Sequence, residues 1–107
     1  MHTECEDLVF RALADPSRRA IFESLTQGEA AVNELTARFH ITQPAVSQHL
    51  AALREAGLVQ GRRDGRRVLY HVEPEGLRPL VDWIAHYRAF WLDRVERLES
   101  LLESLEP

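Results

Sequence analysis

The stretch TQPAVSQHLAALREAGLV, residues 42–59, decides the fold. Thr42 is a good helix N-cap and Pro44 suits a first turn, so a helix starts here. Val46, Leu50 and Leu53 fall at i, i+4 and i+7, one inward stripe, and Gly57 stops the helix. Helical geometry then turns Gln43, Pro44, Ser47, Gln48 and Ala51 outward, with Arg54 at the flank. The N-terminal half of that face is small and neutral-polar, which suits a helix that enters a DNA major groove. Gln can meet adenine with two hydrogen bonds, and Ser can reach base edges or phosphate. An ordinary solvated helix face would have the same residues, and this stretch alone does not separate the two readings.

Just upstream, Val32, Leu35 and Phe39 predict a short third helix, and His40-Ile41 is a tight break before Thr42. Two short helices joined by so few residues form a helix-turn-helix. Further back, Leu8, Val9, Ala12 and Leu13 predict a first helix near residues 5–14. Asp15-Pro16 restarts the chain, and Ile21, Phe22 and Leu25 give a second helix its buried face up to Gly28. Downstream, the period changes. Leu58–Arg63 and Arg66–Val72 alternate around Asp64-Gly65, a hairpin signal in which both turn residues are expected to take positive φ.

From Pro74 onward, Leu80, Ile84, Tyr87, Trp91, Val95, Leu98, Leu102 and Leu105 recur every three or four residues. They predict a last helix of roughly 25–30 residues, longer than one small core can cover. Its seam calls for another surface, most simply the same helix of a second subunit. The expected architecture is mainly α with a small β-hairpin, in the order α-α-α-α-β-β-α. It forms a single domain over residues 1–107, with 74–105 as the dimerisation helix.

The hairpin carries Arg62, Arg63, Arg66 and Arg67 around one tip. Four guanidinium groups so close repel one another unless a polyanion neutralises them, which points to phosphate beside a reading helix. A solubilising sheet edge is the alternative. The net charge of −4 hides a segregation: residues 57–72 carry +3, whereas 1–15 carry −3 and 73–107 carry −4. One surface can therefore meet a polyanion while the others repel it. With 45% hydrophobic and 28% charged residues the chain reads as globular. It has no apolar run of membrane-spanning length, its acidic start is wrong for a secretion signal, and Cys5 is its single cysteine, so a cytoplasmic protein is expected.

Residues 42–59, followed by RRDGRRVLY at 62–70 and preceded by LADPSRRAIF at 13–22, resemble the ArsR family of winged helix repressors. The resemblance runs from about residue 8 to the end. It implies a homodimer joined through the first and last helices, which adds Leu8 to the interface, with the fourth helices in successive major grooves of double-stranded DNA. Thr42, Gln43, Pro44, Ser47, Gln48 and Arg54 would form the recognition helix, and the four hairpin arginines the wing. The implied function is a repressor on an inverted-repeat operator. His40 departs from the glycine that relatives often carry in the turn, yet His tolerates a left-handed backbone.

Many members of that family sense metal, and there the likeness breaks. The paired thiolates would fall at Ala31 and Asn33, and the Asp/His zinc set at Pro74, Gly76, Tyr87 and Phe90, none of them a ligand. Asp82 and His86 are one turn apart but lack a third partner. No metal or other cofactor is expected, and no effector can be read. The spacing Trp83-x3-Tyr87-x3-Trp91 resembles the branch without metal sites, and with Phe90 it suits a dimer core better than a ligand pocket. His49 reads as a helix-packing residue, His71 as a strand residue, and His2 as part of a fraying terminus. No nucleophile–base set or phosphate loop argues for an enzyme. The rival readings are a winged protein-interaction module without DNA binding and a metal-responsive or thiol-responsive repressor, the last acting through Cys5.

Overall fold

The computed structural model describes residues 3–105 and, from residue 7, their side chains, so His2 and the Cys5 thiol lie outside the described part. Helices α1 (Thr3–Ala14) and α2 (Pro16–Thr26) are followed by strand β1 (Ala30–Ala31), α3 (Val32–Phe39) and α4 (Gln43–Glu55). Strands β2 (Val59–Asp64) and β3 (Arg67–Val72) come next, then a 3₁₀ turn at Pro74–Leu77 and α5 (Arg78–Ser104). The anticipated order of helices and hairpin holds, with one strand added.

Local chemistry sets most boundaries. Asp15 Oδ1 accepts from the Arg18 backbone N–H at 3.0 Å, which holds its carboxyl below the usual carboxylate range. Arg18 Nε and Arg19 Nη1 donate back to the Ala12 and Leu13 carbonyls at 2.9 and 2.8 Å. They thereby satisfy acceptors that the end of α1 leaves open. His40 takes the left-handed conformation (φ 55°, ψ 39°) that the tight break requires. Thr42 Oγ1 accepts from the Ala45 N–H at 3.3 Å and starts α4. Gly57, at φ 77°, ends it: its N–H bonds the Arg54 carbonyl and that of Leu58 bonds Leu53, the paired closure of a Schellman motif.

Ile21, Leu35, Val46, Leu50, Leu53 and Leu58 are fully buried at the centre, so α2, α3, α4 and the base of β2 share one core. The sheet order is β1-β3-β2, all antiparallel, with Ala30 opposite Tyr70 and Ala31 opposite Leu69. Nothing in a pair of alanines signals a strand. These two are buried, and the close approach of β3 makes them one.

The hairpin turn also differs from expectation. Asp64 pairs with Arg67, so the tip is Gly65–Arg66, and of its residues only Gly65 has positive φ (67°). Glycine alone at the first central position is the sign pattern of a II′ turn, and it leaves Asp64 in the strand.

Helix α5 lies along one side. The 3₁₀ turn before it and its own first turn pack on the core through Leu77 and Leu80, and Phe10 of α1 meets Trp83 edge-on at 5.7 Å. Beyond that, no α5 residue is buried: Ile84 is 54% exposed, Trp91 66% and Leu102 55%. At roughly 40 Å the helix outruns the domain that carries it.

Candidate nucleic-acid interface

The packing of α4 orients its surface. With Val46, Leu50 and Leu53 at 0–1% exposure, Thr42, Gln43, Pro44, Ser47, Gln48, Ala51 and Arg54 are all exposed. The N-terminal half of that face has no charge and no long apolar side chain. His49 is half-buried beside the inward stripe.

The hairpin arginines do not behave as one group. Arg62 grips Glu29 with a fork, Nε to Oε2 at 3.1 Å and Nη2 to Oε1. This bond holds the Glu29 carboxyl below its ordinary range and raises Arg62 above its own. Arg67 Nη1 lies 3.6 Å from Glu34 Oε1. That same oxygen accepts the Ala31 backbone N–H at 2.9 Å at the start of α3. Arg63 and Arg66 make no ion pair among the described residues, and Arg66 sits at the tip.

The expectation that all four guanidinium groups crowd one tip without internal neutralisation is therefore corrected. Alternation along the strands puts Arg62 and Arg67 on one face and Arg63 on the other, and two chain carboxylates answer the first face. Sequence reading missed Glu29 and Glu34. Glu34 stands three residues after the N-cap, a position that signals a capping role. Nothing local ties Glu29 to an arginine 33 positions away.

His71 Nε2 lies 3.1 Å from Glu73 Oε1, and its buried Nδ1 has no hydrogen-bond partner among the described residues. Asp82 and His86 are both exposed on α5, and no three His, Cys, Asp or Glu side chains gather among the described residues. Among those residues, no helix is long and apolar enough to cross a membrane.

Of the seam residues, Leu80 serves its own core, and Leu8 and Val95 are half-buried. Ile84, Tyr87, Trp91 and Leu98 stand open. An apolar hollow of about 720 Å³ runs along α5, and every residue lining it belongs to that helix. It is one side of an open face and not an enclosed ligand cavity.

The model of the family described as bacterial regulatory protein, arsR family, matches residues 15–60, from the cap of α2 into β2. The HTH-type transcriptional repressor SmtB of Mycobacterium tuberculosis is 46% identical over 79 residues, which are 73% of this chain and 58% of that protein. The chain thus spans little more than half the length of that relative. The HTH-type transcriptional regulator Rv2034 of the same species is 47% identical over 74 residues, 69% of each chain. A homodimeric winged helix-turn-helix DNA-binding domain from Mycobacterium bovis, solved in solution, shares 31% identity with a TM-score of 0.67. That superposition covers 81% of this chain and 83% of that one.

Proposed function

The chain belongs to the arsR family of bacterial regulatory proteins, and from that premise we propose that it is a homodimeric, sequence-specific DNA-binding repressor. It acts in the cytoplasm as a regulator and not as a catalyst. What carries the reading is the small, neutral, exposed face of α4 beside a wing with two uncommitted arginines, Arg63 and Arg66. The α4 face enters the major groove, where Gln43, Ser47 and Gln48 meet base edges. The wing arginines take flanking phosphates or the minor groove. Two such helices related by a twofold axis ask for an inverted repeat with half-sites one helical turn apart.

The direct test is recovery of the fragments this protein binds from its own genome. A single palindromic motif upstream of a gene is the expected result. Absence of enrichment would favour an interaction module that kept the fold without the activity.

The two parts of the surface should separate in titrations against the recovered operator and a scrambled duplex. Phosphate contacts serve every sequence and release counterions, with a slope of about −0.9 per phosphate in log K against log salt. Arg63→Ala with Arg66→Ala should weaken binding to both duplexes and flatten that slope by about 1–2. Gln48→Ala should lower the ratio of specific to nonspecific affinity by about fivefold or more, since a good bidentate base contact discriminates by about 1–3 kcal/mol. A wing variant that kept the full slope would make the arginines an edge-protecting feature.

Metal is not expected to control this protein. Ala31, Asn33, Pro74, Gly76, Tyr87 and Phe90 offer no side-chain ligand at the positions the family resemblance points to. Zinc, cadmium or arsenite added to the protein–operator complex should leave its affinity unchanged. Stoichiometric zinc binding with release of DNA would reverse this and make Asp82 and His86 the first residues to replace.

A further inference from the structure

Arg62 and Arg67 are held in this structure by acids from outside the hairpin, Glu29 before β1 and Glu34 in α3. The Arg62 pair has the form of a phosphate complex: two N–H donors of one guanidinium edge meet two oxygens of one anion. Nor is it sealed in the interior, since the Arg62 side chain is 51% exposed and that of Glu29 37%. Water and a polyanion can reach both partners, and pairs in such surroundings are weak enough to exchange. Glu34 differs in one respect. Its Oε1 also receives the Ala31 N–H, so if Arg67 leaves, that oxygen keeps a hydrogen bond.

Resting on the DNA-binding reading above, we infer that Glu29, and more weakly Glu34, are built-in phosphate mimics that occupy wing arginines and must be displaced by duplex. They set the threshold of nonspecific binding. Arg63 and Arg66 provide the constant attraction to phosphate, while Arg62 and Arg67 join only where a phosphate is placed well enough to win the exchange. This also accounts for acids beside the basic block of a protein that binds a polyanion, an arrangement that otherwise costs affinity.

The test uses a duplex of mixed sequence, titrated over a range of salt concentrations with the full chain. Both substitutions are near-isosteric, and Gln at position 34 keeps an oxygen for the Ala31 N–H, so both variants should fold. Glu29→Gln should raise affinity up to about fivefold at low salt and steepen the salt slope by up to about 0.9. Glu34→Gln should give a smaller gain, in keeping with its longer 3.6 Å pair.

The control is Glu29→Gln made in an Arg62→Ala background. Simple removal of a negative charge near DNA would help equally in both backgrounds, whereas release of Arg62 helps only when Arg62 is present. A gain confined to the Arg62-containing protein supports the inference. An equal gain in both backgrounds, or none while the parent binds normally, overturns it and leaves the DNA-binding reading intact. If neither the parent nor any variant binds duplex at any salt concentration, the DNA-binding reading falls and takes this inference with it.

Discussion

Glutamate at both Ile84 and Trp91 should turn the protein into a monomer, or an unfolded chain, that no longer holds the proposed operator. In the single chain these side chains are 54% and 66% exposed, and Leu98, Leu102 and Leu105 continue the same stripe at 55–73%. Counted at 100° per residue, the apolar positions of α5 from Val81 to Leu102 cover more than half of its circumference. One neighbouring helix needs a stripe of little more than 100°. Among the described residues, the ring of Phe10 on helix α1 meets this face at Trp83, near its N-terminal end. Contiguous exposed apolar surface of this length is rare on a soluble monomer. A second copy covering it would remove large aromatics from water at about 25 cal/mol per Å².

Two charges placed in that seam would each lose water without gaining a partner. The consequence for DNA is larger than for the fold. A dimer engages its second half-site as an intramolecular event, and losing that linkage costs about 100-fold or more in apparent affinity. Sedimentation should show a dimer for the parent and slower species for the double variant, and the parent's melting temperature should rise with concentration. A folded parent monomer at micromolar concentration would sink the dimer, and with it the twofold operator.

Elements set by neighbours in sequence were legible from the residues. Thr42, Pro44 and the stripe of Val46, Leu50 and Leu53 placed α4, because caps and periodicity act within one or two turns. The left-handed backbone at His40 is expected from the family resemblance, whose turn often carries glycine there, and His40 takes it at φ 55°. What escaped depends on partners distant in the chain. Strand β1 exists because Tyr70 and Leu69 come alongside two alanines. The hairpin tip shifted by one residue because cross-strand register, fixed from Val59 opposite Val72 onward, pairs Asp64 with Arg67. The splitting of the arginines arises in the same way, from acids on other elements. Four like charges in a row describe composition, and their partners are a property of the fold.

Gly76 shows the same limit most sharply, and replacing it with alanine should be the most damaging single-methyl change among the described glycines. A Cβ at Gly76 would lie 2.0 Å from the Gly57 carbonyl oxygen, 2.7 Å from its carbon and 3.1 Å from Leu58 Cα. All three are backbone atoms, so no rotamer can relieve the overlap. The backbone they belong to is also pinned, since Leu58 donates to Leu53 at 2.9 Å and accepts from the Glu73 N–H at 2.8 Å. The 3₁₀ turn at Pro74–Leu77 would have to swing away, drawing Leu77 and Leu80 off the core and tilting α5, which carries the proposed dimer seam.

Overpacking of this kind costs about 3 kcal/mol, or about 12–24 °C in melting temperature for a domain of this size. Gly57→Ala is the informative contrast. It meets open space but sits at φ 77°, so its cost is only the left-handed penalty of about 1–2 kcal/mol. Thermal melts of both variants at equal concentration test the ranking. If Gly76→Ala melted above Gly57→Ala, the 3₁₀ turn would have room to move, and its close seat against the end of α4 would not be what anchors α5.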